Sequence, residues 1–446
     1  MLLQRLGRAR EHQLAAPDAG LPDDDRVSRR AELEIATYRQ IAPSARLAGD
    51  ECRRVTLPRT HPRRPGVTLS LNPPSSLDHL RRALAAAGCG QAVLSHPETL
   101  AALGCFETPV EDWPVSNPFV AVPALLCLGP EVAVLVVADF HAPDVRSSPA
   151  QVVLYRSYDF QRQPDPEAEL RTALISALAA AGIGLGSTAV EAMNLPHAVA
   201  AWLEGAGRTP VPCDATVVAA VASIASSDGL DAIRRASRLA DVVQQAVKDN
   251  AAPGITEAEL AGLAAAAMSR EAGRRVPAII TVSTGPEGTA TGGGVATGRI
   301  VREGDLVLTD TSPWIDGAWS DTANAVFVGT PDGETQRRFD AVRRALHEGI
   351  ALCRPGAVAK DVDRQVRELL AGYGPTYPHH TGHRIGAAWS EEPRITPYCE
   401  LRIEEGMVLA LEPAIYEPGW GGIRLEHVFR VGADGNEILT RFEHTL

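Results

Sequence analysis

The stretch DLVLTDTSPWIDGAWSDTANAVFVG, residues 305–329, constrains the chain more than any other. DLVLTD has the pattern of a strand, and GAWSDTANAVFVG can carry the return strand. Pro313, Asp316 and Gly317 between them are turn formers. A turn centred between Ile315 and Asp316 sets Asp310 directly opposite Asp321; moving the centre by one residue makes them diagonal neighbours. In both cases the two side chains share a face, because strand side chains alternate with period two. Opposed residues have Cβ atoms about 5 Å apart. Two carboxylates at that distance repel unless a proton or a cation lies between them.

A second hairpin repeats the pattern. Glu412 in LALEPAIY and Glu426 in IRLEHVF flank the turn PGWGG. Centring that turn on Trp420 makes the two glutamates diagonal on one face. Between the hairpins lies HHTGHRIG, with His383 in a glycine-rich strand context. A single aspartate pair around a turn is common. Four carboxylates and one imidazole in this order suit two divalent cations, and the oxygen and nitrogen donors point to Mn, with Fe, Co or Zn as alternatives. Two such ions together activate water for hydrolysis.

The remainder of the chain supplies a scaffold. Its 446 residues exceed what one small core needs, and 45% hydrophobic residues allow sizeable buried interiors. Residues 1–65 are rich in Arg, Asp and Pro and read as an irregular N-terminal extension. Helical and strand patterns alternate over 66–215, giving an α/β domain. From 216 to 446 helices and antiparallel hairpins sort as α+β. Thr256 and Glu259 have the spacing of a capping box at a helix start. FVAVPALLCLGPEVAVLVVADF is interrupted by Gly129, Pro130 and Glu131, so it reads as two buried strands rather than a membrane span. A net charge of −12 argues against nucleic acid or an anionic membrane as partner. Seven scattered cysteines without a C-x-x-C indicate neither a thiolate zinc site nor a disulfide framework. The start has no apolar leader pattern, and a soluble cytoplasmic protein is expected.

At GDLVLTDTSPWIDGAWSDTA, PHHTGHRIG, EEGMVLALEPAIY and GGIRLEHVFRV the chain resembles the creatinase/prolidase/aminopeptidase P group of pita-bread metallopeptidases, the M24 family. The resemblance spans residues 70–446 and is strongest over 300–430. It implies a C-terminal pita-bread fold preceded by a smaller α/β creatinase-like domain. It implies that Asp310, Asp321, His383, Glu412 and Glu426 bind two metals, with one aspartate and one glutamate bridging. Glu412 would also handle the proton of the attacking water. Arg424 matches an arginine that pairs with a metal-ligand carboxylate, and His379 matches a histidine lining the substrate site. His380 reads as a bystander. A homodimer is implied by the resemblance alone.

The sequence departs from that group at two auxiliary histidines. Thr291 and Ser390 stand where they are expected, and no histidine occurs between His197 and His347. Those histidines hold the scissile carbonyl, and loss of such a donor costs about 10²–10³ in rate. Thr289, Thr291 and Ser390 offer hydroxyls instead, and Trp389, with Trp314 and Trp319 nearby, is a candidate pocket wall. The leading expectation is a dinuclear-metal hydrolase, aminopeptidase P-like or prolidase-like, that cleaves an amide or imide-type, Xaa-Pro-like C–N bond in a small amino-acid-like or dipeptide-like substrate. The alternatives are a non-peptide C–N hydrolase or lyase of specialised metabolism, and a binding module without turnover.

Overall fold

The computed structural model describes residues 73–108, 120–145, 148–161, 164–227 and 229–446. The extension expected over residues 1–65 lies outside the described residues. Helices and sheets are mixed throughout, as the α+β expectation requires. Among the described residues no helix is long and apolar enough to cross a membrane.

The first layer is a six-stranded sheet. Its strands are β1 (Ala92–Leu94), β2 (Ala124–Leu128), β3 (Ala133–Ala138), β4 (Gln151–Tyr155), β5 (Gly186–Val190) and β6 (Arg208–Pro212), in the order β4-β3-β2-β1-β5-β6. The long apolar run is the antiparallel pair β2–β3, every residue of it buried. Helices α1 (Pro73–Ala86) and α2 (Pro97–Ala102) cover one face with α5 (Asp214–Ser227), and α3 (Pro166–Ala180) and α4 (His197–Gly205) cover the other. Burial on both faces explains why these strands read as continuous apolar runs rather than alternating ones.

The second layer begins with α6 (Leu230–Asn250) and α7 (Glu257–Ala272). Thr256 caps α7: its side chain accepts from the Glu259 amide while the Glu259 carboxylate accepts from the Thr256 amide, the reciprocal box read from the sequence. These helices pack on β7 (Ala278–Thr284), which continues into the short α8 (Gly285–Ala290), and on the hairpin β8 (Leu306–Ile315), β9 (Ala318–Trp319) and β10 (Thr322–Phe327). A second helix pair, α9 (Gly333–Leu352) and α10 (Ala359–Leu370), packs on the sheets formed by β11 (Gly382–Arg384), β12 (Glu391–Ile395), β13 (Val408–Leu411), β14 (Ala414–Glu417), β15 (Gly421–Arg424), β16 (His427–Arg430) and β17 (Glu437–Ile438). The strand order is β10-β8-β7 in one sheet and β12-β11-β13-β16-β17 in the next, with β14–β15 as a separate ribbon. The two larger sheets touch where the Glu426 amide donates to the Ala323 carbonyl at 3.0 Å.

Candidate metal centre

The registers of the two hairpins set the positions of the carboxylates. In β8–β10, Ala323 opposes Asp310 and Thr322 opposes Thr311. The turn is therefore centred between Asp316 and Gly317, one residue beyond the directly opposed register, and Asp310 and Asp321 are diagonal neighbours on one face. Both turn residues have positive φ, 52° and 76°, as a two-residue type I′ hairpin requires. The return strand breaks at Ser320–Asp321, where the Trp319 amide leaves the hairpin to donate to Gly386 O.

The second hairpin differs from the expected register. Ala414 opposes Arg424 and Glu417 opposes Gly421, so the turn is centred on Gly419, not Trp420. Leu411 opposes His427 in β13–β16 on the same count. Glu412 and Glu426 therefore oppose each other directly rather than diagonally. Pro413 interrupts the ladder between β13 and β14, and both glutamates sit in that break.

His383 on β11 completes the cluster. Its Nδ1–H donates to the Arg384 carbonyl at 2.9 Å, which leaves the Nε2 lone pair free. Nε2 lies 3.8 Å from Asp321 Oδ2 and 4.0 Å from Glu412 Oε1. One donor atom from each of Asp321, His383 and Glu426 falls within 4.8 Å of the other two, and the same holds for His380, His383 and Glu412. Asp310 stands outside both triplets, paired with the Arg424 guanidinium. Glu426 is 1% exposed and neither of its carboxylate oxygens has a hydrogen-bond partner among the described residues. A buried, unpartnered carboxylate in a pocket of other carboxylates is what a cation would satisfy, so the donor set fits divalent metals.

Electrostatics divide the acids. Burial, and next the charge of Asp321, push both Asp310 and Glu426 well above the ordinary carboxylate range. Burial also acts to raise Glu412, but the hydrogen bond from His380 and the charges of His379 and Arg424 outweigh it and hold the group at about 2. For His383, burial acts downward and contacts with Asp321 and Glu412 overcome it, leaving a net rise.

A polar network surrounds the acids. Arg424 donates to Gly292 O at 2.6 Å and to the Tyr416 hydroxyl at 2.9 Å. Tyr416 lies 3.1 Å from His379 Nε2, and His379 Nδ1–H donates to His380 O at 2.7 Å. Both nitrogens of His379 are thereby committed, and burial lowers its pKa. Trp389 is 44% exposed, yet its indole N–H reaches Asp321 Oδ2 and Ser312 Oγ at 2.9 Å each. Ser312 in turn donates to Asp321 Oδ1 at 3.0 Å. Trp314 and Trp319 are buried in the interior.

The hydroxyl candidates are engaged locally. Thr291 is exposed and donates to Gly288 O at 2.9 Å. Buried Thr289 donates to Gly285 O and accepts from the Gly422 amide. Ser390 Oγ accepts from Arg394 Nε at 3.3 Å. The glycine loop passes close to Tyr416: a Cβ on Gly292 would meet that ring at 3.4 Å. Two participants escaped the sequence reading, Ser312 and Tyr416, and His380, read there as a bystander, contacts Glu412 Oε1 at 2.8 Å. The period-two pattern does signal Ser312, which shares the face of Asp310. Tyr416 shares the ribbon with Arg424. His380 precedes its strand, where alternation carries no information.

Residues 231–433 match the model of metallopeptidase family M24. The similar curated proteins include enzymes named for dipeptides. The chain is 31% identical over 225 residues to the Xaa-Pro dipeptidase of Pyrococcus furiosus, a match covering 50% of this chain and 64% of that one. It is 34% identical over 220 residues to a probable dipeptidase PepE of Mycobacterium tuberculosis, covering 49% and 58%. The matches thus span less than two thirds of those relatives' lengths. In three dimensions it superimposes on an Xaa-Pro dipeptidase from Bacillus anthracis with a TM-score of 0.69 and 20% identity, over 84% of this chain and 99% of the other. Dipeptidase PepE from Mycobacterium ulcerans gives 0.64 and 25%, over 84% and 97%. The fold is the pita-bread architecture of these neighbours.

Proposed function

We propose that this chain is a dinuclear-metal hydrolase that cleaves the C–N bond of a small, dipeptide-like substrate of the Xaa-Pro type. The observation that carries the reading is Glu426, whose buried oxygens have no partner within a cluster of three further carboxylates and an imidazole. Asp310, Asp321, His383, Glu412 and Glu426 would hold the ions, with Mn²⁺ the first candidate for the oxygen-rich part of the set. When bound, the two cations supply Lewis acidity and make water a nucleophile near neutral pH. Glu412 is assigned as general base by its position, with Oε1 2.8 Å from His380 Nε2 and 4.0 Å from His383 Nε2 inside the cluster. Arg424 fixes Asp310 and the Tyr416 hydroxyl together, and Tyr416 holds His379 in one tautomer beside Glu412. A cavity of about 490 Å³ beside the imidazoles, lined by Arg367, Tyr377, His379, His380, Arg394 and Tyr398, is large enough for a dipeptide. A cytoplasmic homodimer is the setting in which we place this activity.

A second reading is favoured by the absence of the two auxiliary histidines. Thr291 and Ser390 stand in their places with hydroxyls engaged by neighbours, so a peptide carbonyl would lack its usual clamp. The substrate is then a non-peptide amide or a zwitterion whose charge does not build on a carbonyl oxygen. Metal analysis of chelator-free protein tests the shared part: about two ions per chain are expected. Turnover of Xaa-Pro dipeptides with added Mn²⁺ separates the readings. Rapid turnover supports the first, and none with a fully loaded protein supports the second.

A further inference from the structure

We propose that His380 is a ligand to the cation held by His383, giving one metal position two imidazole nitrogens and leaving the other with oxygens alone. The inference rests on the dinuclear reading above and adds to it a residue that the ligand set inferred from the family resemblance does not contain. Three histidines lie within the short PHHTGH segment, and they are not equivalent. His379 has spent both nitrogens, on Tyr416 and on the His380 carbonyl. His383 has spent one, on Arg384 O, and presents the other to the acids. His380 Nε2–H donates to Glu412 Oε1 at 2.8 Å, the same oxygen that His383 Nε2 approaches at 4.0 Å, so a cation at this point would take the place of the shared proton. One atom from each of these three residues lies within 4.8 Å of the others. The rings of His380 and His383 are nearly perpendicular, at 88° with centroids 5.2 Å apart, an edge-to-face pair rather than a stack. His380 is also the most exposed member of its triplet and lines the cavity beside it.

Ligand chemistry gives the consequence. Imidazole favours Zn²⁺, Fe²⁺ and Co²⁺, whereas carboxylate oxygens suit Mn²⁺ and Mg²⁺. The position shared by His380 and His383 should therefore select a borderline ion, and the one near Asp310 a hard ion.

The test uses the metal-free full-length chain, with His380→Gln and Glu426→Gln variants beside it. Co²⁺ is titrated and followed by visible d–d absorption, with the bound metal counted by mass spectrometry. In His380→Gln the tighter Co²⁺ position should weaken by about 10–100-fold and its absorption change, with Mn²⁺ binding at the other position unaltered. X-ray absorption of wild-type protein carrying one Zn²⁺ per chain should show two imidazole rings around the ion, a measurement that does not depend on any variant folding. One imidazole, or wild-type Co²⁺ affinity and spectrum in His380→Gln, overturns the assignment. If Glu426→Gln weakens binding while His380→Gln does not, only His380 is wrong. If the wild-type chain binds neither Co²⁺ nor Mn²⁺, the dinuclear reading falls and takes His380 with it.

Discussion

The two layers bury different things. In the six-stranded sheet, β2 and β3 are Leu, Val, Ala and Cys with no accessible residue. In the second layer the strands converge on Asp321, His383, Glu412, Arg424 and Glu426, all nearly as buried. The first interior follows from the hydrophobic effect alone. The second violates it at one place, where ionisable groups are withdrawn from water at a cost of several kcal/mol each unless paired. Stability accounts for the first arrangement. Only chemistry accounts for the second, and the difference marks the site without reference to any relative.

That contrast can be broken in graded steps. The largest effect should come from Asp321→Ala, which removes a carboxylate common to both hydrogen-bonding and metal-triplet contacts. Bound metal measured by mass spectrometry should fall from about two ions to below one, and turnover should disappear. If turnover persists unchanged, the acids are not the site. Next is Leu126→Ala on β2, fully buried. It should destabilise the first layer by about 2–5 kcal/mol in chemical denaturation while leaving the metal count untouched. A loss of metal there would mean that the layers are not separable in this way. Trp389→Phe keeps an aromatic ring but removes the N–H to Asp321, and should weaken metal binding about 10–100-fold by calorimetry.

A gentler effect lies in the pH dependence. Asp310 and Glu426 have folded-state pKa values raised by burial and by Asp321. In the metal-free protein the folded state therefore keeps protons that the unfolded chain has released. Stability falls as pH rises from the ordinary carboxylate range toward the raised values. Glu412 acts oppositely, contributing stability above the ordinary range that is lost only as pH falls toward about 2. The melting temperature of metal-free protein should thus decline as pH rises above the ordinary carboxylate range, and Mn²⁺ should flatten the decline. Smallest is Thr256→Ala at the α7 cap, costing about 1 kcal/mol and leaving the site intact.

The fold was largely legible because its elements announce themselves locally. The capping box at Thr256, the Gly-interrupted apolar pair β2–β3 and the helices at 333–352 and 359–370 need no tertiary information. Which residues share a face was legible for the same reason. Register was not: it depends on which turn residues take positive φ, and Asp316–Gly317 settled one hairpin while Gly419 settled the other. Least legible were contacts made by segments outside any ladder. His380 lies before β11, and its reach to Glu412 depends on how that segment is held by Arg367, which donates to Tyr377 O at 2.8 Å and to His379 O at 2.6 Å.

The tip of the hairpin that carries the two aspartates has further neighbours, helix α2 and Arg235. A Cβ on Gly317 would come within 2.7 Å of the Ala101 backbone on α2, Arg235 clasps Asp316 at 2.8 Å, and the Trp319 indole donates to Glu98 of α2 at 2.7 Å. The ribbon carrying Asp310 and Asp321 is thus moored at its far end to the opposite layer. Any ligand that pried the layers apart would tug on that mooring line, and the spacing of the two aspartates would register the pull.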